Sequence, residues 1–560
     1  MGIDTVVITE KGYPRIIEEL CEGCGICAHK CPFEAVKIIG LPEEIKEELV
    51  HQYGENGFRL YRLPAIQKDK VIGLLGPNGV GKTTTVNILS GTIIPNLGNY
   101  DGRVTWDDVV RHFSSTTLGD YFSRIRDGEM KTALKPQYVD KIPRVFKGKV
   151  KDLLSKADEK GELDEIASLL EIEKTLERDV DKLSGGELQS VAIGATLLKN
   201  ADVYFFDEPS SYLDIAQRLK MAKIIKDLSK ESIVFVVEHD LAILDFLADV
   251  IHILYGSEGA YGIVSQVRAT RNAINSYLEG YLREENIRFR EWKIEFTEHP
   301  PKKRIDLPTL VKWPYIEKSY GDFSLEVHPG EIKIGEVIGV VGPNATGKTT
   351  FVKILAGVLK SDKGKVEEEV KVSYKPQYIK PEFDGTVEEL LMLTLKERMN
   401  SGFFKAEAMH PLNIRHILHK EVKELSGGEM QRLAIALCLG LEADLYLLDE
   451  PSAYLDSNQR MIVAKAIRRV MENTGKSALV VDHDVYFIDI ISDNIMVFEG
   501  KPSVHGIGRG PYDMREGMNL FLKNVGITFR RDKDSRRPRI NTPGSYTDRE
   551  QKRLGEYYYI

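Results

Sequence analysis

Four cysteines stand in one short run, Cys21-Glu-Gly-Cys24-Gly-Ile-Cys27-Ala-His-Lys-Cys31-Pro32, and a fifth, Cys438, lies far away in Ala-Leu-Cys-Leu. C-x2-C-x2-C-x3-C-P is a spacing by which thiolates hold iron–sulfur clusters. Gly23 and Gly25 leave the backbone free to turn three sulfurs inward. Zinc is the competing ligand, although structural zinc sites usually separate their cysteine pairs by a longer loop. His29 inside the run reads as a solvated side chain, and Cys438 as a buried core residue. In two-cluster ferredoxins the fourth cysteine of such a run serves the other cluster. Either all four cysteines here converge on one [4Fe–4S] cluster, or a further piece precedes this chain.

A second chemistry is written twice. Gly76-Pro-Asn78-Gly79-Val-Gly81-Lys82-Thr83-Thr84 and Gly342-Pro-Asn344-Ala345-Thr-Gly347-Lys348-Thr349-Thr350 both match G-x4-G-K-[ST]. Each follows an apolar strand, Val-Ile-Gly-Leu-Leu or Val-Ile-Gly-Val-Val, and opens a helical pattern. Such a loop offers backbone N–H groups and a helix N-terminus to phosphates, a lysine to the β/γ-phosphates and a hydroxyl to Mg²⁺. Downstream come Leu-Ser184-Gly185-Gly186-Glu-Leu-Gln and Leu-Ser426-Gly427-Gly428-Glu-Met-Gln, then Val-Tyr-Phe-Phe-Asp207-Glu208 and Leu-Tyr-Leu-Leu-Asp449-Glu450. Four apolar residues before two carboxylates read as buried parallel strands delivering acids at their C-terminal ends. Tyr-Leu-Asp214 and Tyr-Leu-Asp456 follow, and further apolar strands end in Glu238-His239-Asp240 and Asp482-His483-Asp484. The same order twice over identifies an internal repeat.

This set resembles the nucleotide-binding domains of ABC-type ATPases, in tandem. The resemblance implies that Asp207 and Asp449 organise Mg²⁺ with Thr83, Thr349, Gln137 and Gln377. It implies that Glu208 and Glu450 polarise the attacking water, that His239 and His483 contact the γ-phosphate, and that Gln137 and Gln377, in two Lys-Pro-Gln-Tyr segments, sense it. Ser184, Gly186, Ser426 and Gly428 would donate to the γ-phosphate, and Asp214 and Asp456 would join the nucleotide-binding set. Each ATP would be sandwiched between one repeat's loop and the other's signature serine, so that binding closes the pair and hydrolysis releases it. Ala345 replaces the residue equivalent to Gly79, which puts the geometry of the second loop in question, and Ser190 stands where Arg432 follows the second signature. Unequal turnover at the two sites is expected.

The elements that must position these residues follow from length and pattern. The 560 residues suggest three or four domains, and 42% apolar content is ample for packed cores. The net charge of −8 excludes a generic polycation. No apolar run reaches membrane-spanning length and no secretory leader is visible, so a cytoplasmic protein without membrane partners is expected. Gly76 and Gly342 are 266 positions apart but Gln137 and Gln377 only 240, so the first repeat carries 26 extra residues. Apolar spacing at Val109, Val110 and Phe113, and at Leu118, Tyr121, Phe122 and Ile125, predicts a helix–loop–helix at about 105–130 with Arg111, Arg124 and Arg126 outside. A surface-loop decoration is the alternative. A charged, proline-bearing stretch through 285–312 reads as a hinge. From 530 to 553 the tail has nine basic and four acidic residues, suiting contact with an RNA backbone or simply solvation.

The expected architecture is α/β: a ferredoxin-like iron–sulfur segment (1–42), ABC domains at 43–284 and 313–525, the hinge between them, and a basic tail (526–560). This combination is similar to the ribosome-recycling ABC ATPases, also called the RNase L inhibitor family. The likeness implies ATP, Mg²⁺ and [4Fe–4S] as cofactors and Tyr53 and Phe58, in Tyr53-Gly-Glu-Asn-Gly-Phe58, as an adenine-stacking platform. Its implied partners are the ribosome, through small-subunit rRNA and proteins, and a release factor or its rescue paralogue. Its implied activity is ATP-driven splitting of ribosomes after termination or rescue. The family carries two clusters on eight cysteines, whereas four cysteines stand in this run. The ATPase subunit of a membrane transporter is the rival reading, and an ATP-driven redox enzyme a weaker one for want of further cofactor motifs.

Overall fold

The computed structural model describes residues 5–8, 14–17, 21, 26–31, 35–36, 47–296, 307–366, 370–377 and 383–558. Contacts divide the chain into two compact units. The first comprises Met1–Pro209, Lys223–His239 and Leu247–Glu291; the second comprises Ser210–Ala222, Asp240–Phe246 and Trp292–Ile560. The short segments 210–222 and 240–246 thus pack with the second unit although they lie in the first sequence repeat.

In the first unit the main sheet runs in the order Leu49–Gln52, Arg59–Tyr61, Tyr261–Val264, Val250–Ser257, Val71–Leu75, Ile233–Val237, Val203–Asp207, Thr132–Lys135. From Val250–Ser257 to Thr132–Lys135 every pairing is parallel. Val71–Leu75, Ile233–Val237 and Val203–Asp207 are buried at every residue, which is why they read as unbroken apolar runs rather than alternating ones. The second unit repeats the plan in the order Ile316–Tyr320, Phe323–Val327, His505–Asp513, Asn494–Lys501, Val337–Val341, Ser477–Val481, Leu445–Asp449, Val372–Lys375. Both sheets are therefore mixed, with antiparallel strands confined to one side.

The insertion forms helices Trp106–His112 and Thr117–Arg126. A capping box between Thr105 and Asp108 fixes the start of the first. Val109, Phe113, Leu118, Tyr121 and Phe122 join the same core as Val86 and Leu89 of the helix Lys82–Leu89. The Tyr121 hydroxyl donates to the Leu89 carbonyl. The insertion is thus part of the domain's core and not a surface decoration. Arg111 and Arg126 lie at the surface as expected, each ion-paired: Arg111 with Asp108 at 3.5 Å, and Arg126 with Asp107 and Asp127 at 2.8 Å.

The basic tail also differs from an unstructured charged segment. Strands Phe529–Arg531 and Pro538–Ile540 form an antiparallel hairpin, followed by helix Tyr546–Leu554. Arg537 is wholly buried, and Arg531, Arg537 and Arg539 are ion-paired to aspartates. These charges are spent inside the protein, because each arginine meets a carboxylate contributed by a distant part of the chain. Cys438 is buried, its thiol accepting from Ser373 at 3.3 Å, and burial pushes its pKa up to about 11.

Candidate functional site

Each glycine-rich loop turns from a buried strand into a helix, and Gly81 (φ 90°) and Gly347 (φ 93°) hold left-handed backbone at the junction. A Cβ at Gly81 would lie 2.8 Å from Phe58, and one at Gly347 would lie 2.7 Å from Leu325. The two lysines are held alike: Lys82 Nζ donates to the Gly76 and Pro77 carbonyls at 2.8 and 2.6 Å, Lys348 Nζ to those of Gly342 and Pro343 at 2.8 and 2.6 Å. Ala345 takes φ 57° where Gly79 takes 72°, so the second loop keeps the geometry that its alanine had put in question. Such a backbone costs alanine about 1–2 kcal/mol. Asn78 and Asn344 occupy the same loop position, and Thr84 and Thr350 the same helix position, in their repeats.

Asp207 and Asp449 end buried strands beside the loops. Thr83 Oγ1 donates to Asp207 Oδ2 at 3.2 Å, while Asp207 Oδ1 and both oxygens of Asp449 are buried without a hydrogen-bond partner among the described residues. Thr349 approaches Asp449 without forming a well-made bond. Burial, reinforced by the neighbouring glutamate, lifts the pKa of Asp207 and of Asp449 to about 6. Buried oxygens of this kind beside a hydroxyl fit a hard divalent cation such as Mg²⁺.

Glu208 and Glu450 behave oppositely. Burial pushes each up, but nearby His239 or His483, the loop lysine and the Q-loop glutamine outweigh it and hold each at about 2. Gln137 Nε2 donates to Glu208 Oε1 at 2.5 Å and Gln377 Nε2 to Glu450 Oε1 at 2.7 Å. His239 Nε2 and His483 Nε2 stand 3.5 Å from these glutamates, and burial lowers the pKa of His483. Neighbouring acids with separated pKa values suit different chemical tasks.

Both glutamates sit in left-handed backbone, φ 49° and 50°. Residues that the sequence reading passed over hold them there. Lys135 Nζ donates to the Asp207 and Glu208 carbonyls at 2.9 and 3.2 Å, and Lys375 does the same for Asp449 and Glu450 at 2.7 and 3.2 Å. Gln189 and Gln431, at the end of each signature, donate to the Glu208 and Glu450 carbonyls at 2.7 and 2.6 Å. Their signal was present: each lysine opens a Lys-Pro-Gln-Tyr segment and each glutamine closes a signature, at matching positions of both repeats.

Ser184 and Ser426 cap helices Gly185–Leu197 and Gly427–Gly440 through capping boxes with Glu187 and Glu429. Gly186 and Gly428 lie in the first turns, and a Cβ at Gly428 would come within 3.1 Å of the Tyr454 carbonyl. Asp456 caps its own helix by accepting from Gln459 N at 2.8 Å. Asp214 Oδ2, in the second unit, accepts from Asn344 N at 3.0 Å. Tyr53 and Phe58 face each other beside the first loop with ring centroids 6.5 Å apart. Tyr53 is 46% exposed, with its hydroxyl 3.4 Å from Thr84 Oγ1. In the second unit Tyr320 and Phe323 pair across the equivalent hairpin, an aromatic pair unnoticed because its turn is two residues shorter.

In the cysteine run, Cys27 lies in helix Ile26–Lys30 and Cys31 directly follows it, with Cys31 N donating to Cys27 O at 3.0 Å. Ala35 N donates to Cys31 Sγ at 3.4 Å. No disulfide joins Cys21, Cys27, Cys31 or Cys438. Cys24 lies outside the described residues, and Cys21, Cys27 and Cys31 do not by themselves converge as a metal-holding group. The donor set, four thiols at cluster spacing, fits iron–sulfur ligation.

Two mixed α/β domains carrying duplicated phosphate loops, signatures and acid–histidine sets define a tandem ABC ATPase with an N-terminal cysteine segment. The ABC transporter family model matches residues 64–211 and 325–453, and the 4Fe-4S binding domain model matches 14–37. An ABC transporter ATP-binding protein of Methanocaldococcus jannaschii is 52% identical over all of this chain and 93% of its own length. Translation initiation factor RLI1 of Saccharomyces cerevisiae is 44% identical over 97% of this chain and 91% of its own. Among solved structures, ribosome-bound archaeal Pelota and ABCE1 matches at TM-score 0.95 and 55% identity, over 100% of this chain and 94% of that one. The complex of archaeal stalk protein aP1 and recycling factor aABCE1 matches at TM-score 0.87 and 55% identity, over 92% and 100%. The chain belongs to the RNase L inhibitor family of ribosome-recycling ABC ATPases. Among the described residues no helix is long and apolar enough to cross a membrane.

Proposed function

We propose that this protein is a cytoplasmic ATP hydrolase that splits ribosomes into subunits after termination or rescue, by ATP-dependent closure of its two ABC domains. The observation that carries the reading is full-length likeness, at TM-score 0.95, to a protein solved on the ribosome with Pelota. Its partners are then the ribosome, through small-subunit rRNA and proteins, and a release factor or its rescue paralogue.

In this reading Gly76, Asn78, Gly79, Gly81, Lys82, Thr83 and Thr84 cradle one triphosphate. Gly342, Asn344, Gly347, Lys348, Thr349 and Thr350 cradle the other. Tyr53 and Phe58 hold the adenine at the first site. Asp207 and Asp449, with Thr83, Thr349, Gln137 and Gln377, hold Mg²⁺, which supplies charge neutralisation at the β/γ-phosphates. Glu208 and Glu450 orient the attacking water and accept its proton at a carboxylate oxygen. His239 and His483 steady the γ-phosphate. Ser184, Gly186, Ser426 and Gly428 supply donors to the γ-phosphate, and Asp214 and Asp456 help shape the sites. Lys135, Lys375, Gln189 and Gln431 keep the glutamate backbone in place. Cys21, Cys24, Cys27 and Cys31 hold one [4Fe–4S] cluster, which cross-links the N-terminal segment.

The reading is tested by sucrose-gradient sedimentation of ribosomes with the protein, ATP and release factor. A rise in free subunits that requires all three is expected. An unchanged subunit-to-monosome ratio rejects ribosome splitting, and co-purification with a membrane protein redirects the reading to a transporter.

A further inference from the structure

Each switch histidine leads into the same short helix. His239 precedes Leu241–Leu247 and His483 precedes Val485–Ile491. Asp240 Oδ1 accepts from Ala242 N and Ile243 N at 3.0 and 3.1 Å, and Asp484 Oδ1 from Tyr486 N and Phe487 N at 2.9 and 3.0 Å. Six positions past each histidine stands another aspartate, Asp245 in one repeat and Asp489 in the other. Their side chains are 2% and 1% exposed. Carboxylates that deep need cationic or hydrogen-bonding partners, and nothing in phosphate chemistry calls for them there.

Both partners come from one element, the C-terminal hairpin. Arg537 Nη1 reaches Asp245 Oδ2 at 2.8 Å, and Arg539 meets the same carboxylate through Nε at 2.6 Å and Nη2 at 3.1 Å. On the facing strand Arg531 stands 3.5 Å from Asp489, which also accepts from the Tyr558 hydroxyl. Arg537 Nη1 further contacts the Tyr486 hydroxyl at 3.1 Å, so one guanidinium touches both helices. Residues 240–246, helix Val485–Ile491 and the hairpin all belong to the second unit.

We propose that Asp245 and Asp489 are positioning residues of the two histidine switches, and that the arginine hairpin makes the state of one switch felt at the other. The proposal rests on the reading of His239 and His483 as γ-phosphate contacts. A planar guanidinium bonded to a carboxylate by two nitrogens tolerates little displacement, unlike a lysine. Moving the first helix therefore either strands a buried carboxylate or drags the hairpin, and with it Arg531, Tyr558 and the second helix. That is a two-position element biased from both sites, the requirement for coupled binding.

The test uses the full chain carrying Glu208→Gln and Glu450→Gln, so that MgATP binds without turnover, and measures the two stepwise affinities. With the hairpin intact, the second ATP binds about 5-fold or more tighter than independent sites would allow. Arg539→Gln, and separately the charge-balanced pair Asp245→Asn with Arg539→Gln, should bring the ratio to within about 2-fold of independence. The first-step affinity should stay near the parent's, Arg539→Gln should leave the melting temperature near it because Arg537 still pairs with Asp245, and Arg539→Lys should restore part of the coupling. Coupling unchanged in both variants, or absent in the parent, overturns the proposal while leaving the two-site ATPase reading in place. Failure of the parent to bind a second ATP removes that reading and the proposal with it.

Discussion

Replacing Lys135 by methionine separates holding the fold together from placing the Glu208 carboxylate proposed to orient the attacking water. Lys135 is fully buried, and its ammonium bonds the Asp207 and Glu208 carbonyls at 2.9 and 3.2 Å. Burial lowers its pKa from 10.5 to about 8, against the pull of Asp207, Glu208 and Glu238. That difference is about 3 kcal/mol of cost to the charged form. The cost is fully present below pH 8 and fades as pH rises from about 8 to 10.5, because the folded pKa is the lower one. Methionine keeps the stem, removes the buried charge and loses two bonds worth about 1.5–3 kcal/mol each. Net stability should change by only about 2 kcal/mol. Glu208, however, keeps only the Gln189 bond at its carbonyl, while its left-handed backbone still costs about 1–2 kcal/mol. A misplacement near 1 Å lowers rates about 100-fold. In a Glu450→Gln background, where only the first site turns over, Lys135→Met should cut phosphate release about 100-fold while leaving ATP affinity within about 3-fold. Turnover within about 3-fold of the parent, or collapse of folding, would refute the assigned role.

Tyr53→Ala should weaken ATP at the first site about 10-fold or more, the worth of one base stack, whereas Tyr53→Phe should not; equal losses in equilibrium titrations would argue against stacking. Asp207 and Asp449 titrate at about 6, raised by burial, so below that pH protons displace Mg²⁺. The gain in ATP affinity from Mg²⁺ should fall about tenfold per pH unit below 6; an equal gain at pH 5 and 7.5 would contradict this. Ala345→Gly relieves a φ of 57° but loosens the unfolded chain, two opposing terms of about 1 kcal/mol. Its melting temperature should therefore move little and its second-site ATP affinity stay within about 3-fold, and a tenfold change would show that the loop was distorted.

The duplicated loop, signature and acid–histidine motifs marked an ABC ATPase in the sequence because nucleotide chemistry constrains residue type and spacing, and the family model matches both repeats. The helices of the insertion were legible from their apolar period. That Arg537 and Arg539 of the arginine-rich tail are neutralised by Asp245 had no local signature, because Asp245 lies 292 and 294 positions away. Arg126 lies at the surface as expected, but its ion pair with Asp107, 19 positions earlier on the facing helix, had no local signature either. Lys135 and Gln189 stand inside recognised motifs, but their acceptors are the backbone carbonyls of Asp207 and Glu208, which residue type and spacing do not reveal. The packing of 240–246 with the second unit has no local signature at all, since it depends on which surface that helix meets.

The central claim is that ATP-driven closure splits ribosomes and hydrolysis resets the protein. Stopped-flow light scattering of ribosomes with release factor, comparing the parent with the variant carrying Glu208→Gln and Glu450→Gln, tests it most directly. The parent should dissociate many ribosomes per molecule with ATP, and the variant should dissociate about one before stopping. No ATP-dependent fall in scattering with either protein, or repeated turnover by the variant, would contradict the account.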